Sequence, residues 1–229
     1  MNIAIDGMDG VGKTTVGKKI AEKMDYNFIE DPIKEYLNMD EKEYKNMVRY
    51  IRKSNNTNIP FVYYSLRHMI ACQKEEKGKI IDRSMASTYF FESKNIDDKY
   101  FEDFQKLGAN PDLTILLYAN TEERIKRIKK RDINDEDLKS NETFVNGYAK
   151  MREYLEKFKL PYLLIDTTNL DLDKTVDLCS DIITTYEKSN DNERKEIIKN
   201  INYTFMYNFV KEAEKIKANK KIEEPYRER

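Results

Sequence analysis

The nine-residue run Gly7-Met8-Asp9-Gly10-Val11-Gly12-Lys13-Thr14-Thr15 constrains this chain more than any other part of it. It follows the apolar triplet Ile3-Ala4-Ile5, which reads as a buried strand, and opens a helical pattern from Thr14 to Met24. A glycine-rich turn placed there lets several backbone N–H groups curl onto one anion. The helix that follows aims the positive end of its dipole at the same point. A lysine after the last glycine reaches the β- and γ-phosphates, and the next hydroxyl can ligate magnesium. Three of the seven glycines fall between positions 7 and 12, which an ordinary turn would not require. The run is therefore a cradle for a nucleoside triphosphate. Its candidate ATP-binding residues are Gly7, Asp9, Gly10, Val11, Gly12, Lys13, Thr14 and Thr15, with Mg2+ as the accompanying cation.

Short apolar runs alternate with longer helical stretches along the chain, which argues for an α/β fold with a parallel sheet. After Ile3–Ile5 the expected strands are 27–29, 79–81, 113–118 and 162–165. Helical patterns run through about 33–53 and 60–77, broken by Asn55 to Asn58 and Pro60, and again through 121–130, 142–158 and 172–187. A polar break at Ser189 to Asn192 precedes an amphipathic stretch carrying Ile197, Ile198, Ile201, Phe205 and Phe209. This predicts a domain over 1–188 and a helical extension over 189–229, with a charged, frayed end.

The 41 basic and 42 acidic side chains nearly cancel, so no global field recruits nucleic acid or a membrane surface. The expected partner is a small-molecule nucleotide. No apolar run approaches the roughly 20 residues a membrane span needs. Cys72 and Cys179 lie far apart, in no metal or redox spacing, which fits free thiols in a cytoplasmic protein. His68 is the sole histidine, excludes any two-histidine mechanism and reads as structural.

At Gly7 to Thr15 the sequence resembles the thymidylate kinase family, whose loop reads G-x-D-G-x-G-K-T-T, with deoxynucleoside kinases as the neighbouring family. The resemblance extends over roughly residues 1–188. It implies a P-loop NTPase three-layer α/β/α fold, with five parallel strands and helices on both faces. Asp82-Arg83-Ser84 ends the third strand, the edge at which open α/β sheets bind ligands. Asp82 there would share the metal with Thr14, and Arg83 would clamp phosphate. Ser87, Thr88 and Phe91 fall in the thymidylate-kinase register D-R-x-x-x-S-[ST]-x-A-[YF]-Q, with Glu92 at the glutamine position. Ser84 instead resembles the E-R-S motif of deoxynucleoside kinases.

Tyr63 and Arg67 match F-x-x-x-R, where the family stacks an aromatic on the base and reads it with the arginine; a spacing of four puts both on one helix face. Glu30-Asp31-Pro32 resembles the acidic-proline element. The arginine that usually follows is absent, leaving Lys34 as its nearest substitute. By the same resemblance Asp9 reaches the acceptor sugar, and Leu164 to Thr168 borders adenine. Arg127-Ile128-Lys129-Lys130-Arg131 is similar to the R-I-x-x-R lid of both families. It implies a lid over about 127–142, with Arg131 and Arg127 as transition-state clamps. The catalytic set implied is Lys13, Asp82, Arg83, Arg127 and Arg131.

What the resemblance implies for function is ATP-dependent phosphorylation of a deoxynucleoside monophosphate, dTMP to dTDP, by a homodimer. The runner-up is a deoxynucleoside kinase acting on a 5′-hydroxyl, with Asp31 or Asp82 as base. A non-catalytic nucleotide-binding protein, recruiting a partner through 190–229, is the third reading.

Overall fold

A computed structural model describes residues 1–135, 138 and 147–222. The first half of the chain runs β1 (Asn2–Gly7), α1 (Lys13–Met24), β2 (Asn27–Ile29), α2 (Pro32–Tyr36), α3 (Glu41–Arg52), α4 (Asn58–Ala71) and β3 (Lys79–Asp82). Then come α5 (Met85–Glu92), α6 (Asp98–Lys106), β4 (Leu113–Tyr118) and α7 (Thr121–Arg131). The last elements are α8 (Gly147–Lys157), β5 (Tyr162–Asp166), α9 (Leu172–Lys188) and α10 (Asp191–Ile222).

The five strands pair in parallel in the order β2-β3-β1-β4-β5. β1 is central and wholly buried, as an apolar strand covered on both faces must be. Alternation along β4 and β5 divides their side chains between two layers. Ile115, Leu117, Leu163 and Ile165 pack with Val16 and Ile20 of α1 and with Cys179 and Ile183 of α9. Leu116 and Leu164 point the other way, to Met85 and Tyr89 of α5, Phe101 of α6 and Tyr154 of α8. This is the expected α/β/α architecture. Strand order reverses at β1, so its carboxyl end opens on the crevice where such sheets hold ligands.

Three helical expectations change. The stretch 33–53 is two helices, because Asn38 takes φ 49° and Asp40 then starts α3 with a capping box closed by Glu43. The helix expected over 60–77 is α4, Asn58–Ala71. α5 and α6 fill a span the periodicity leaves unassigned. Of the stretch 142–158, Gly147–Lys157 is helical and residues 142–146 lie outside the described residues. So do 136, 137 and 139–142 of the expected lid, and 223–229 of the charged end.

α10 lies along the free edge of β5. The Asn202 side chain accepts from the Leu164 N–H at 2.8 Å and donates to the Tyr162 carbonyl at 3.0 Å. One amide thus pairs edge groups that another strand would otherwise seek. Phe205 is buried beside Tyr118 and Tyr148. Among the described residues no helix is long and apolar enough to cross a membrane.

Candidate active site

The cradle folds as its residue types dictate. Gly12 caps α1 at φ 94°, a left-handed backbone that side chains disfavour. Gly10 lies against α7, where an added Cβ would stand 2.7 Å from the Arg124 carbonyl oxygen. The Arg124 guanidinium in turn donates to the Asp9 carbonyl at 2.8 Å. The loop is thereby pinned on α7, and the first-turn N–H groups of α1, which have no helical acceptors, open toward the cleft.

Lys13 is buried, with its Nζ donating to the Met8 carbonyl at 3.0 Å and to Asp9 Oδ1 at 3.3 Å. Arg83 donates to the same Asp9 oxygen at 2.7 Å and to Ser87 Oγ at 3.3 Å. Burial opposes the charge of Asp9, yet Lys13 and Arg83 together hold its carboxyl at about 2. Burial first, and the Arg83 charge second, bring the Lys13 ammonium down to about 8. Two cations therefore converge on one carboxylate at the mouth of the cradle. An incoming phosphate would relieve their mutual repulsion.

Thr14 Oγ1 donates to Asp82 Oδ2 at 2.6 Å, while Asp82 Oδ1 is buried with no partner among the described residues. A hydroxyl and an orphaned carboxylate oxygen side by side fit a small hard cation that takes its other ligands from phosphate and water. Thr14 and Asp82 would hold Mg2+ here, and the metal would supply charge neutralisation at the phosphates.

These groups share one cleft of about 1230 Å³ at the carboxyl ends of the strands, which Thr15, Asp31, Arg67, Thr88, Phe91 and Glu92 also line. Burial raises the Glu92 carboxyl. Arg67 lies under this wall, donating to the carbonyls of Glu30 and Asp82 and tying the ends of β2 and β3 together. His68 is buried with Nε2 3.1 Å from Thr88 Oγ1. Burial, with Arg67 and Arg83 nearby, drives its pKa well below the usual imidazole range.

Two expected acceptor contacts lie elsewhere. Tyr63 is buried and its hydroxyl donates to Tyr44, which donates to Asp31 at 2.6 Å; the neighbouring Tyr64 faces the cleft. Lys34 does not line the cleft but pairs with Glu41 of α3 at 2.5 Å. In its place Arg52, at the end of α3, enters the cleft and donates to the Tyr64 hydroxyl at 2.8 Å.

On the donor side Arg127 and Arg131 both line the cleft. The Arg127 guanidinium donates to Glu123, to the Val11 carbonyl, and to Thr167 Oγ1 and carbonyl at 3.1 and 2.7 Å. It braces the cradle against the end of β5. Arg131 pairs with Asp135 one turn on. Sequence reasoning missed Arg52, Tyr64 and Arg124. It also missed Asp6, wholly buried in β1, whose carboxylate takes five hydrogen bonds.

Comparison with known proteins agrees with this fold. The profile of the deoxynucleoside kinase family matches residues 3–206. A probable thymidylate kinase of Sulfolobus acidocaldarius is 30% identical over 165 residues, 69% of this chain and 82% of that one. A probable thymidylate kinase of Methanocaldococcus jannaschii is 24% identical over 179 residues, 76% of this chain and 90% of that one. Among solved structures, deoxyadenosine kinase from M. mycoides with bound dCTP superposes with a TM-score of 0.57 at 22% identity, covering 81% of this chain and all of that one.

Proposed function

The chain belongs to the deoxynucleoside kinase family, and from that premise we propose that it transfers the γ-phosphoryl of ATP, as its magnesium complex, to the 5′-phosphate of dTMP. It is a nucleoside or nucleotide kinase, as its family and its curated relatives are. The finer choice concerns the acceptor. The observation that carries it is the pair of guanidiniums, Arg83 from the end of β3 and Arg52 from α3, that enter the same cleft. Arg52 is exposed, has no carboxylate partner among the described residues and bonds there to the Tyr64 hydroxyl, so its guanidinium is free to take a phosphate. Such a pair suits an acceptor that already carries a phosphate.

A phosphate acceptor is a competent nucleophile at neutral pH and needs no base. Catalysis then consists of aligning two anions and neutralising them. Lys13 lies at the β- and γ-phosphates, Thr14 and Asp82 at the metal, and Arg83 where donor and acceptor meet. Asp9, which Arg83 grips, faces the acceptor sugar. Arg131, at the end of α7, clamps the transferring phosphoryl, while Arg127 steadies the loop that holds the donor. In this reading residues 1–188 are the catalytic unit and 189–229 a C-terminal extension. The protein acts as a cytoplasmic homodimer, and a one-chain mass in solution would refute the dimer.

A nucleoside acceptor would need Asp31 or Asp82 as a base. Asp31 accepts from Tyr44, and Asp82 Oδ2 from Thr14. An assay offering thymidine or dTMP with ATP and magnesium separates the readings. The expected product is dTDP from dTMP with none from thymidine. Turnover of thymidine alone would replace the monophosphate reading by the nucleoside one.

A further inference from the structure

Asp6 belongs to neither the cradle nor the cleft, yet its contacts reach both. It sits in β1, wholly buried, one residue before the cradle. Its Oδ1 accepts from the Gly7 N–H at 2.8 Å and from Ser87 Oγ at 2.6 Å. Its Oδ2 accepts from the Ser84 N–H at 2.9 Å, Ser84 Oγ at 2.7 Å and the Ser87 N–H at 3.3 Å. A buried carboxylate with that many donors is fully satisfied and holds its partners stiffly.

Those partners flank Arg83. Its backbone takes φ 73°, uncommon for a residue with a side chain, and such strain persists only where neighbours over-determine it. On one side the Arg83 N–H is fixed to the Ile5 carbonyl at 3.0 Å. On the other the chain is gathered onto Asp6 through Ser84 and Ser87. Ser87 Oγ, oriented by Asp6, also accepts from the Arg83 guanidinium. The same carboxylate thus fixes the start of the cradle, the strained backbone of Arg83 and one contact of its side chain.

We propose that Asp6 is the positioning residue that sets Arg83 against the cradle, so that the phosphate clamp and the donor site are held in one frame. Asp6 touches neither nucleotide and acts through Arg83. The inference rests on reading Arg83 as a phosphate clamp, and it does not depend on which acceptor is used.

The test is a double-mutant cycle of Asp6→Asn and Arg83→Ala, assayed with the acceptor that the wild type phosphorylates fastest. Asparagine keeps the shape but turns one accepting oxygen into a donor that faces N–H and O–H groups. Asp6→Asn alone should lower kcat about tenfold or more, with the Kd for ATP within about threefold of wild type. In the Arg83→Ala background the same change should cost less than about threefold. An equal loss in both backgrounds would overturn the inference, as would an ATP affinity that falls as far as kcat. If Arg83→Ala alone leaves turnover unchanged, both the clamp reading and the inference fail. Should Asp6→Asn not fold, Ser84→Ala removes the hydroxyl contact to Asp6, keeps the backbone one, and enters the same cycle with coupling of the same sign.

Discussion

Lys13→Ala should lower phosphoryl transfer by about three orders of magnitude, with the far-ultraviolet circular dichroism and cooperative melting of the wild type retained. The side chain is buried in the mouth of the cradle, and its partners are a carbonyl and one carboxylate, Met8 and Asp9. In the nucleotide-free protein burial first, and the Arg83 charge second, weaken the ammonium, so its pKa stands at about 8. A triphosphate supplies the missing negative charge and pushes the pKa back up. The sign follows. Below pH 8 the ammonium is present and no proton is needed. Above pH 8 binding must take up a proton, so ATP affinity should fall by as much as about tenfold per pH unit. Calorimetry in buffers of different ionisation enthalpy would register that uptake, and Lys13→Ala should abolish it. Wild-type turnover by the variant, or an affinity flat from pH 7 to 9.5, would remove Lys13 from the donor site.

The cradle is legible in sequence because its constraints are local. Glycine backbone, helix start, lysine and threonine lie within one turn, and no distant residue can substitute for them. The strands are legible because each carries a short apolar run, and β1, β3 and β4 are buried along nearly their whole length. What the sequence conceals depends on tertiary choice between near-equivalent neighbours. Tyr63 and Tyr64 stand four and three residues before Arg67, so both share its helix side. In the fold Tyr63 turns inward to bond Tyr44, while Tyr64 meets the cleft. Lys34 follows Pro32 as an acceptor-gripping residue would, yet the turn at Asn38 brings Glu41 within reach of it. Arg52 reads as one charge among many until α3 folds back over the cleft. Asp6 reads as the polar end of a strand, and its donors, Ser84 and Ser87, lie 78 and 81 residues away.

Asp82→Asn should abolish most turnover, by about 10²-fold or more, and remove the magnesium-dependent part of the stabilisation that ATP confers. The substitution keeps the outline of the side chain and removes its charge. In the nucleotide-free protein Asp82 Oδ1 is buried with no partner among the described residues, a situation that costs about 1–3 kcal/mol. The next residue, Arg83, holds a left-handed backbone that adds strain on the order of 1–3 kcal/mol. Two unfavourable features fall on consecutive residues at the carboxyl end of an interior strand, at the mouth of the cleft. A cation bridging Thr14, Asp82 and the phosphates would satisfy the first, and a phosphate on the guanidinium would reward the second. Melting curves with ATP, with and without magnesium, separate this from a purely structural role. The wild type should gain an increment from magnesium that Asp82→Asn lacks. If instead Asp82 serves only to balance Lys13 and Arg83, the variant will melt lower without nucleotide and keep the magnesium increment. That result would place the metal elsewhere in the cleft.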